Sequence, residues 1–309
     1  MTKECITVSA LYSDFLLEQK FRNNSTRTIE YYKENLSRFF TWLQSDDIIA
    51  LSIDKWKEYG IYLHETATKR NGDKYSESSI QGAMRAIKSF YNYGIAKGVV
   101  DDKVIRQLKL PKVHNKEERI LDDDEINTLF HSIDESSQTG LRNKCFIALM
   151  LDSGLRRGEI PRLNFADLDV RSKTMIIKGK GGKQRVVPMG EISATLLTDY
   201  IFKYRENAGQ QTSVFVDSSG YRCTDNLIKQ VFKRIKKKAN ISRLHPHLLR
   251  HTFATNYIAD GGDLETLRLI LGHANIQTTQ RYLHLAFNLK LQMSRHNSHL
   301  DKIYADKLA

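Results

Sequence analysis

No stretch of this 309-residue chain reaches the roughly 18 uncharged apolar residues that a membrane-spanning helix needs. The N-terminal segment is broken by Glu4, Asp14 and Glu18, which argues against a signal peptide. Cysteine is scarce: Cys5, Cys145 and Cys223 lie far apart, without CxxC spacing. An odd, sparse count suits a reducing cytoplasm. Cys145, inside the apolar run KCFIALML, reads as a buried core thiol. There is no tandem repeat and no low-complexity tract.

What is abundant is positive charge. The formal net charge is +12 and the pI near 9.4. Such a field favours polyanions. Hydrophobic residues make up 40%, enough for a sizeable core, and the length suggests two domains.

The first hundred residues read as a four-helix bundle. LYSDFLLEQ carries Leu11, Phe15 and Leu16 on one face. Ser25 to Gln44 places Ile29, Tyr32, Leu36, Phe39, Phe40 and Leu43 at spacings of three and four, with Ser25 or Thr26 as cap. A third helix is predicted from about Ser52 to Thr68. A fourth, from about Ser76 to Lys97, turns Ile80, Met84, Ile87, Phe90 and Tyr91 inward. Asn71-Gly72 marks the turn between these two, and Gly98 is a candidate C-cap. Pro111 and the charged run after it make residues 111–118 a linker. Asp122 to Asp124 look like a cap and first turn. The remainder is mostly helical, with one small sheet: TMIIKG and QRVVPM flank Gly181-Gly182 as a hairpin.

Chemistry concentrates in that second part. Arg156 follows Gly154-Leu155 in SGLRRGEI, and a guanidinium fork matches two phosphate oxygens. Arg157 competes for the role. Glu159 can hold an arginine from behind, or form an ordinary i,i+3 surface pair. Lys180, at the hairpin tip, can reach a bound strand and donate a proton, or is a solvated turn lysine. It does not form a phosphate-binding P-loop, since Gln184 follows Lys183. In HPHLLRH, Pro246 suits a helix start and His247, Arg250 and His251 fall on one face. A zinc pair would want the HExxH glutamate, which is absent. His245 reads as structural. His273 follows a helix-ending Gly272, and Tyr282 lies nine residues on. Taken alone, each of these last two is more often a packed residue.

Joined, they form a set suited to attack on a phosphodiester. A phenol, pKa near about 10, attacks poorly unless its target is neutralised. Arg156, Arg250 and a histidine can bind the non-bridging oxygens, and Lys180 can protonate the leaving 5′ oxygen. Tyr282 would be left carrying a 3′ phosphate, a bond that another 5′-hydroxyl can reverse. Neither metal nor cofactor is expected.

These motifs and their order resemble the tyrosine recombinases, the phage lambda integrase family, in particular Xer-type recombinases and mobile-element integrases. The resemblance covers nearly the whole chain. It implies a mainly α fold: a SAM-like core-binding domain over residues 1–110, a linker over 111–118, a mostly helical catalytic domain with a small antiparallel sheet over 119–290, and a tail over 291–309 exchanged between protomers. It implies Arg156, Lys180, His247, Arg250, His273 and the nucleophile Tyr282 as catalytic residues, with Glu159 in support. It also implies a homotetramer on two double-stranded DNA sites, a Holliday junction, and no arm-binding domain ahead of the bundle. A partner recombinase or directionality factor fits the same scheme, as do dimer resolution and integration or excision of a mobile element. DNA contacts are expected from Arg85 and Lys88 in the bundle. Lys229, Lys233, Arg234 and Lys237 are expected to add more from a basic helix. A catalytically silent DNA-binding regulator of the same fold, a monomeric type IB topoisomerase-like enzyme and a metallonuclease are the alternatives.

Overall fold

The structure is a computed structural model that describes residues 7–101, 103, 108–113, 119–179, 182–206, 208–209 and 212–293, with side chains to 290. It divides into two compact units, Met1–Glu117 and Glu118–Ala309.

The first unit is four helices: α1 (Val8–Phe21), α2 (Thr26–Leu43), α3 (Ile53–Glu65) and α4 (Glu77–Ala96). Each begins on a hydroxyl cap. Thr7, Ser25, Ser52 and Ser76 accept from the backbone N–H three residues on, satisfying a donor the helix itself cannot. The expected inward residues of α4 are all buried, as are Leu11 and Phe15 of α1 and Leu36, Phe39 and Leu43 of α2. Leu16, Ile29, Tyr32 and Phe40 are half-buried at the margin. The third helix ends three residues earlier than its periodicity suggests. Ala67 N–H turns back to the Tyr62 carbonyl, and Thr68 bridges to Lys74 around Gly72 (φ 83°), so the chain leaves the helix for a tight turn.

The second unit opens with α5 (Asp123–His131), where Asp122 and Glu125 form a reciprocal capping box. Next come α6 (Gln138–Ser153) and an antiparallel sheet in the order β1 (Leu168–Asp169), β2 (Thr174–Lys178), β3 (Gln184–Pro188). The β2–β3 register runs from Thr174 opposite Pro188 to Lys178 opposite Gln184, as the hairpin motif predicts. Met175, Ile177 and Val187 face the core, while Ile176 and Val186 face out. The two-residue strand β1 carries too little pattern to be seen in sequence. Helices α7 (Glu191–Tyr204), α8 (Asp225–Lys238), α9 (Pro246–Ala259), α10 (Leu264–Leu271) and α11 (Gln277–Met293) complete the unit. Cys145 is buried, its thiol donating to the Leu196 carbonyl, and burial pushes its pKa up. Among the described residues, no helix is long and apolar enough to cross a membrane.

Candidate active site

The site is assembled where α6, β3, α9 and α10 end or begin. Gly154 closes α6 in the left-handed region at φ 62°. An added Cβ would stand 2.5 Å from Phe253 and 2.9 Å from Leu271. We therefore expect Gly154→Ala to cost at least about 2 kcal/mol from backbone strain and overpacking together. Chemical denaturation would read it, and a variant as stable as wild type would show that the turn tolerates a side chain.

From that turn Arg156 reaches Glu159 Oε1 (3.1 Å) and the Gly272 carbonyl (3.2 Å), and its own N–H donates to Glu159 Oε2 (2.8 Å). Its side chain stays 37% exposed. Arg157 is committed elsewhere, in a two-pronged pair with Asp225 at 2.7 and 2.9 Å. Glu159 is buried, and its second arginine is Arg185 of β3, at 2.8 Å to each oxygen. Burial opposes the Glu159 charge, but the Arg185 fork and then Arg156 hold its carboxyl below the ordinary range. Arg185 also donates to the Ile270 carbonyl (2.7 Å). Sequence reading missed Arg185, although a signal existed: in strand alternation it shares the inward face with Val187.

Pro246 takes the first position of α9, and His245 caps it by accepting from the Leu248 N–H (3.1 Å), the structural part expected of it. Arg250 is 4% exposed. It donates to the carbonyls of Gly154 (2.6 Å) and Leu271 (2.7 Å), and to His273 Nε2 (3.1 Å). Burial and then the charge of Arg156 push its pKa down to about 9. A guanidinium accepts no hydrogen bond, so His273 Nε2 is the acceptor and the ring proton sits on Nδ1, facing Thr279 Oγ1 at 3.0 Å. Burial, with Arg250 and Arg156, pushes His273 down to about 4, so the ring is neutral at pH 7. His247 lies at the open edge. Crowding by surrounding atoms and the charges of His245, Arg250, Arg157 and Arg156 hold its pKa below the ordinary value. Arg156 and Arg185 thus share one carboxylate, and Arg250 adds a third positive charge nearby, leaving a positive cleft that suits an anion.

Tyr282 lies on α11, 2% exposed, in a small apolar cluster with Ala254, Ile258, Leu267, Leu271 and Ala286. Burial raises its pKa, while Arg281, Arg250 and Arg156 pull the other way. Its hydroxyl meets His251 Nδ1 at 2.8 Å, a contact sequence reading did not foresee. His251 and Arg250 leave adjacent positions of α9 for different partners, so the expected single face holds two groups.

Lys180 lies outside the described residues; the flanking Gly179 N–H donates to the Lys183 carbonyl at 2.7 Å. Residues 294–309, most of the expected exchange tail, also lie outside them. In the first unit Arg85 is exposed and bonded to Gln81, whereas Lys88 spends its ammonium on the Leu108 carbonyl (2.6 Å). On α8, Lys229, Lys233, Arg234 and Lys237 are exposed opposite buried Ile228, Val231, Phe232 and Ile235.

Residues 119–288 match the phage integrase family, and residues 10–98 match the N-terminal SAM-like domain of phage integrases. The tyrosine recombinase XerC of Oceanobacillus iheyensis is 30% identical over 283 residues, 89% of this chain and 92% of the relative. That of Bacillus pumilus is 30% identical over 295 residues, covering 93% and 95%. Among solved structures, a lambda integrase (75-356) dimer bound to a COC′ core site aligns with TM-score 0.72 at 14% identity, over 89% of this chain and 95% of that one. The Tn1549 transposon integrase in complex with a circular intermediate DNA aligns with TM-score 0.70 at 20% identity, over 98% and 100%. At those identities the structures speak to the fold, and the sequence matches carry the assignment: the chain belongs to the phage integrase family, the tyrosine recombinases.

Proposed function

We propose that this recombinase cuts and rejoins double-stranded DNA at specific sites through a 3′-phosphotyrosyl intermediate. The observation that carries the reading is the cluster of Arg156, Arg250 and His273 around one cleft, short of negative charge, in the same unit as a buried tyrosine. A scissile phosphate placed there supplies the missing anion. Arg156, Arg250 and His247 hold its non-bridging oxygens as charge builds in the pentacovalent state, and His273 holds the Arg250 guanidinium in place through Nε2. The Tyr282 oxygen bonds to phosphorus while the bond from phosphorus to the 5′ oxygen breaks. The phenol proton passes to solvent water, and Lys180 gives a proton to the departing 5′ oxygen. The phosphodiester energy is kept in the new bond, so a second 5′-hydroxyl reverses the step on another strand. Glu159 sets Arg156 from behind.

The same reading places residues 1–110 and 119–290 as core-binding and catalytic domains on the duplex, with the exposed lysines of α8 on phosphates. Four protomers act on two sites through a Holliday junction in the cytoplasm, each tail seated on a neighbour. Relatives named XerC and a transposon integrase bound to circular intermediate DNA support the two biological settings, dimer resolution and movement of a mobile element.

The test is a nicked suicide substrate built from DNA flanking the coding sequence, incubated with EDTA. A denaturation-resistant protein–DNA adduct is expected. Tight binding with no adduct would instead favour a silent DNA-binding protein, and cleavage only with added metal would favour a nuclease. Lys180→Ala should slow adduct formation far more than binding, and a good 5′ leaving group should restore most of the rate. A defect of equal size on both substrates would remove Lys180 from the general-acid role.

A further inference from the structure

His273 accepts from Arg250 at the phosphate cleft, whereas His251, the residue after Arg250 on α9, faces a different pair of groups. His251 is held between the Tyr282 hydroxyl and a fourth arginine, Arg281. Its Nδ1 lies 2.8 Å from the Tyr282 hydroxyl, and its Nε2 lies 3.2 Å from Arg281 Nη2. Arg281 also covers the Tyr282 ring, its guanidinium carbon 5.4 Å from the ring centroid. The chain thus runs Arg281, His251, Tyr282, and it closes on itself, because Arg281 and Tyr282 are neighbours on α11.

The direction of this relay follows from donor chemistry. A guanidinium has five donors and no acceptor. His251 Nε2 must therefore accept from Arg281, which leaves the neutral ring's proton on Nδ1. That N–H points at the Tyr282 oxygen, so the oxygen accepts. A histidine in this tautomer cannot take the phenol proton at Nδ1, because the position is already occupied. It can do two other things. It fixes the rotation of the hydroxyl, turning the phenol's own proton away from α9 and leaving a lone pair for phosphorus. It also stabilises the negative charge that the oxygen carries as the proton departs and, in the reverse step, as the phosphotyrosyl bond breaks.

We infer that His251 is a positioning residue for the nucleophile: its Nδ1–H holds and polarises the Tyr282 oxygen, and Arg281 fixes the tautomer that makes this possible. The step itself is unchanged in its balance. One oxygen–phosphorus bond forms, one breaks, and His251 begins and ends with the same proton. Its contribution is one hydrogen bond, stronger when the acceptor is a phenolate than when it is a phenol. The inference rests on Tyr282 being the nucleophile.

The experiment compares full-length wild type, His251→Leu, His251→Asn and Arg281→Ala in single-turnover adduct formation on the nicked substrate that wild type cleaves. Equilibrium binding of the same DNA is measured beside it, and Tyr282→Phe is run in parallel. Leucine fills the space without a donor; asparagine places an amide N–H near the position of Nδ1. His251→Leu is expected to form adduct about tenfold more slowly, the size of one hydrogen bond lost, with binding within about twofold. His251→Asn should recover to within about threefold of wild type. Arg281→Ala, which removes the donor that fixes the tautomer, should slow the step while leaving binding within about twofold. Equal slowing by asparagine and leucine would mean that His251 acts by packing alone, and a leucine variant as fast as wild type would remove any role. Should the leucine variant fail to fold, the asparagine and Arg281→Ala rates decide the matter: a slow asparagine variant, or an unaffected Arg281→Ala, overturns the inference. An adduct surviving in Tyr282→Phe would instead displace the nucleophile, an outcome the parallel lane separates from the others.

Discussion

Tyr282→Phe should form no covalent adduct with DNA while binding it within about twofold of wild type. Only an oxygen is lost. The ring keeps its place among Ala254, Ile258, Leu267, Leu271 and Ala286, so the packing of α11 on α9 survives. The stability cost is that of the Tyr282–His251 hydrogen bond, about 1 kcal/mol. The binding surface loses nothing, because the hydroxyl is buried and the arginine cleft is intact. Denaturing electrophoresis of the suicide substrate reads the adduct, and a mobility shift reads binding. An adduct that persists would assign the attack to another of the 14 tyrosines. A variant that no longer binds would make the hydroxyl structural.

Glu159→Gln should be the most damaging single change in the second unit that leaves every carbon in place. The carboxylate is the shared counter-charge of Arg156 and Arg185, at 3.1 Å from one and 2.8 Å from both prongs of the other. A neutral amide offers one acceptor where four donors converge, and it turns an NH2 toward a guanidinium. Removing one partner from a buried pair costs about 3–5 kcal/mol, because the cations stay behind. Both tryptophans, Trp42 and Trp56, lie in the first unit. Their fluorescence should report an unshifted transition while circular dichroism reports the lost stability of the second. The pH dependence has a definite sign. The folded pKa of Glu159 lies below its ordinary value of 4.5, so its stabilisation is complete above that pH and fades as pH falls through the folded value. The gap between wild type and variant should therefore narrow in acid. A gap that is constant with pH would mean the pair contributes through packing rather than charge.

Much of this was legible in the order of residues, and the parts that were not share a physical cause. Local rules reached the bundle: a Ser or Thr cap, then apolar residues at spacings of three and four, gave α2 and α4 to within a residue or two. The hairpin announced itself through β-branched runs around paired glycines. Local rules failed where a neighbour distant in sequence decides. The end of α3 depends on a bridge from Thr68 to Lys74, and β1 exists only because β2 offers it an edge. In the site, the motif residues Arg156, Arg250 and His273 were readable as types at spacings. The partners were not: Arg185 could be placed on the inward face but Glu159 lies 26 residues away, and His251 stood in the motif but Tyr282 lies 31 residues on. The preference for Arg156 over Arg157 came from its place directly after Gly154-Leu155, and the fold adds that Asp225 occupies the second.

Arg250 has a second employment that changes how its presence should be read. Its guanidinium is tied to the carbonyls of Gly154 and Leu271, the ends of α6 and α10, so it closes two helix termini that would otherwise face a buried cleft unsatisfied. With Glu159 and Arg185 it is part of the masonry of the domain. A descendant that had abandoned strand exchange would still be under pressure to keep all three, since losing them would unfold it. The phenolic oxygen of Tyr282 is under no such obligation: phenylalanine would fit its cavity at the cost of one hydrogen bond. Of the buried groups in the proposed site, that oxygen atom is the one the fold itself does not need.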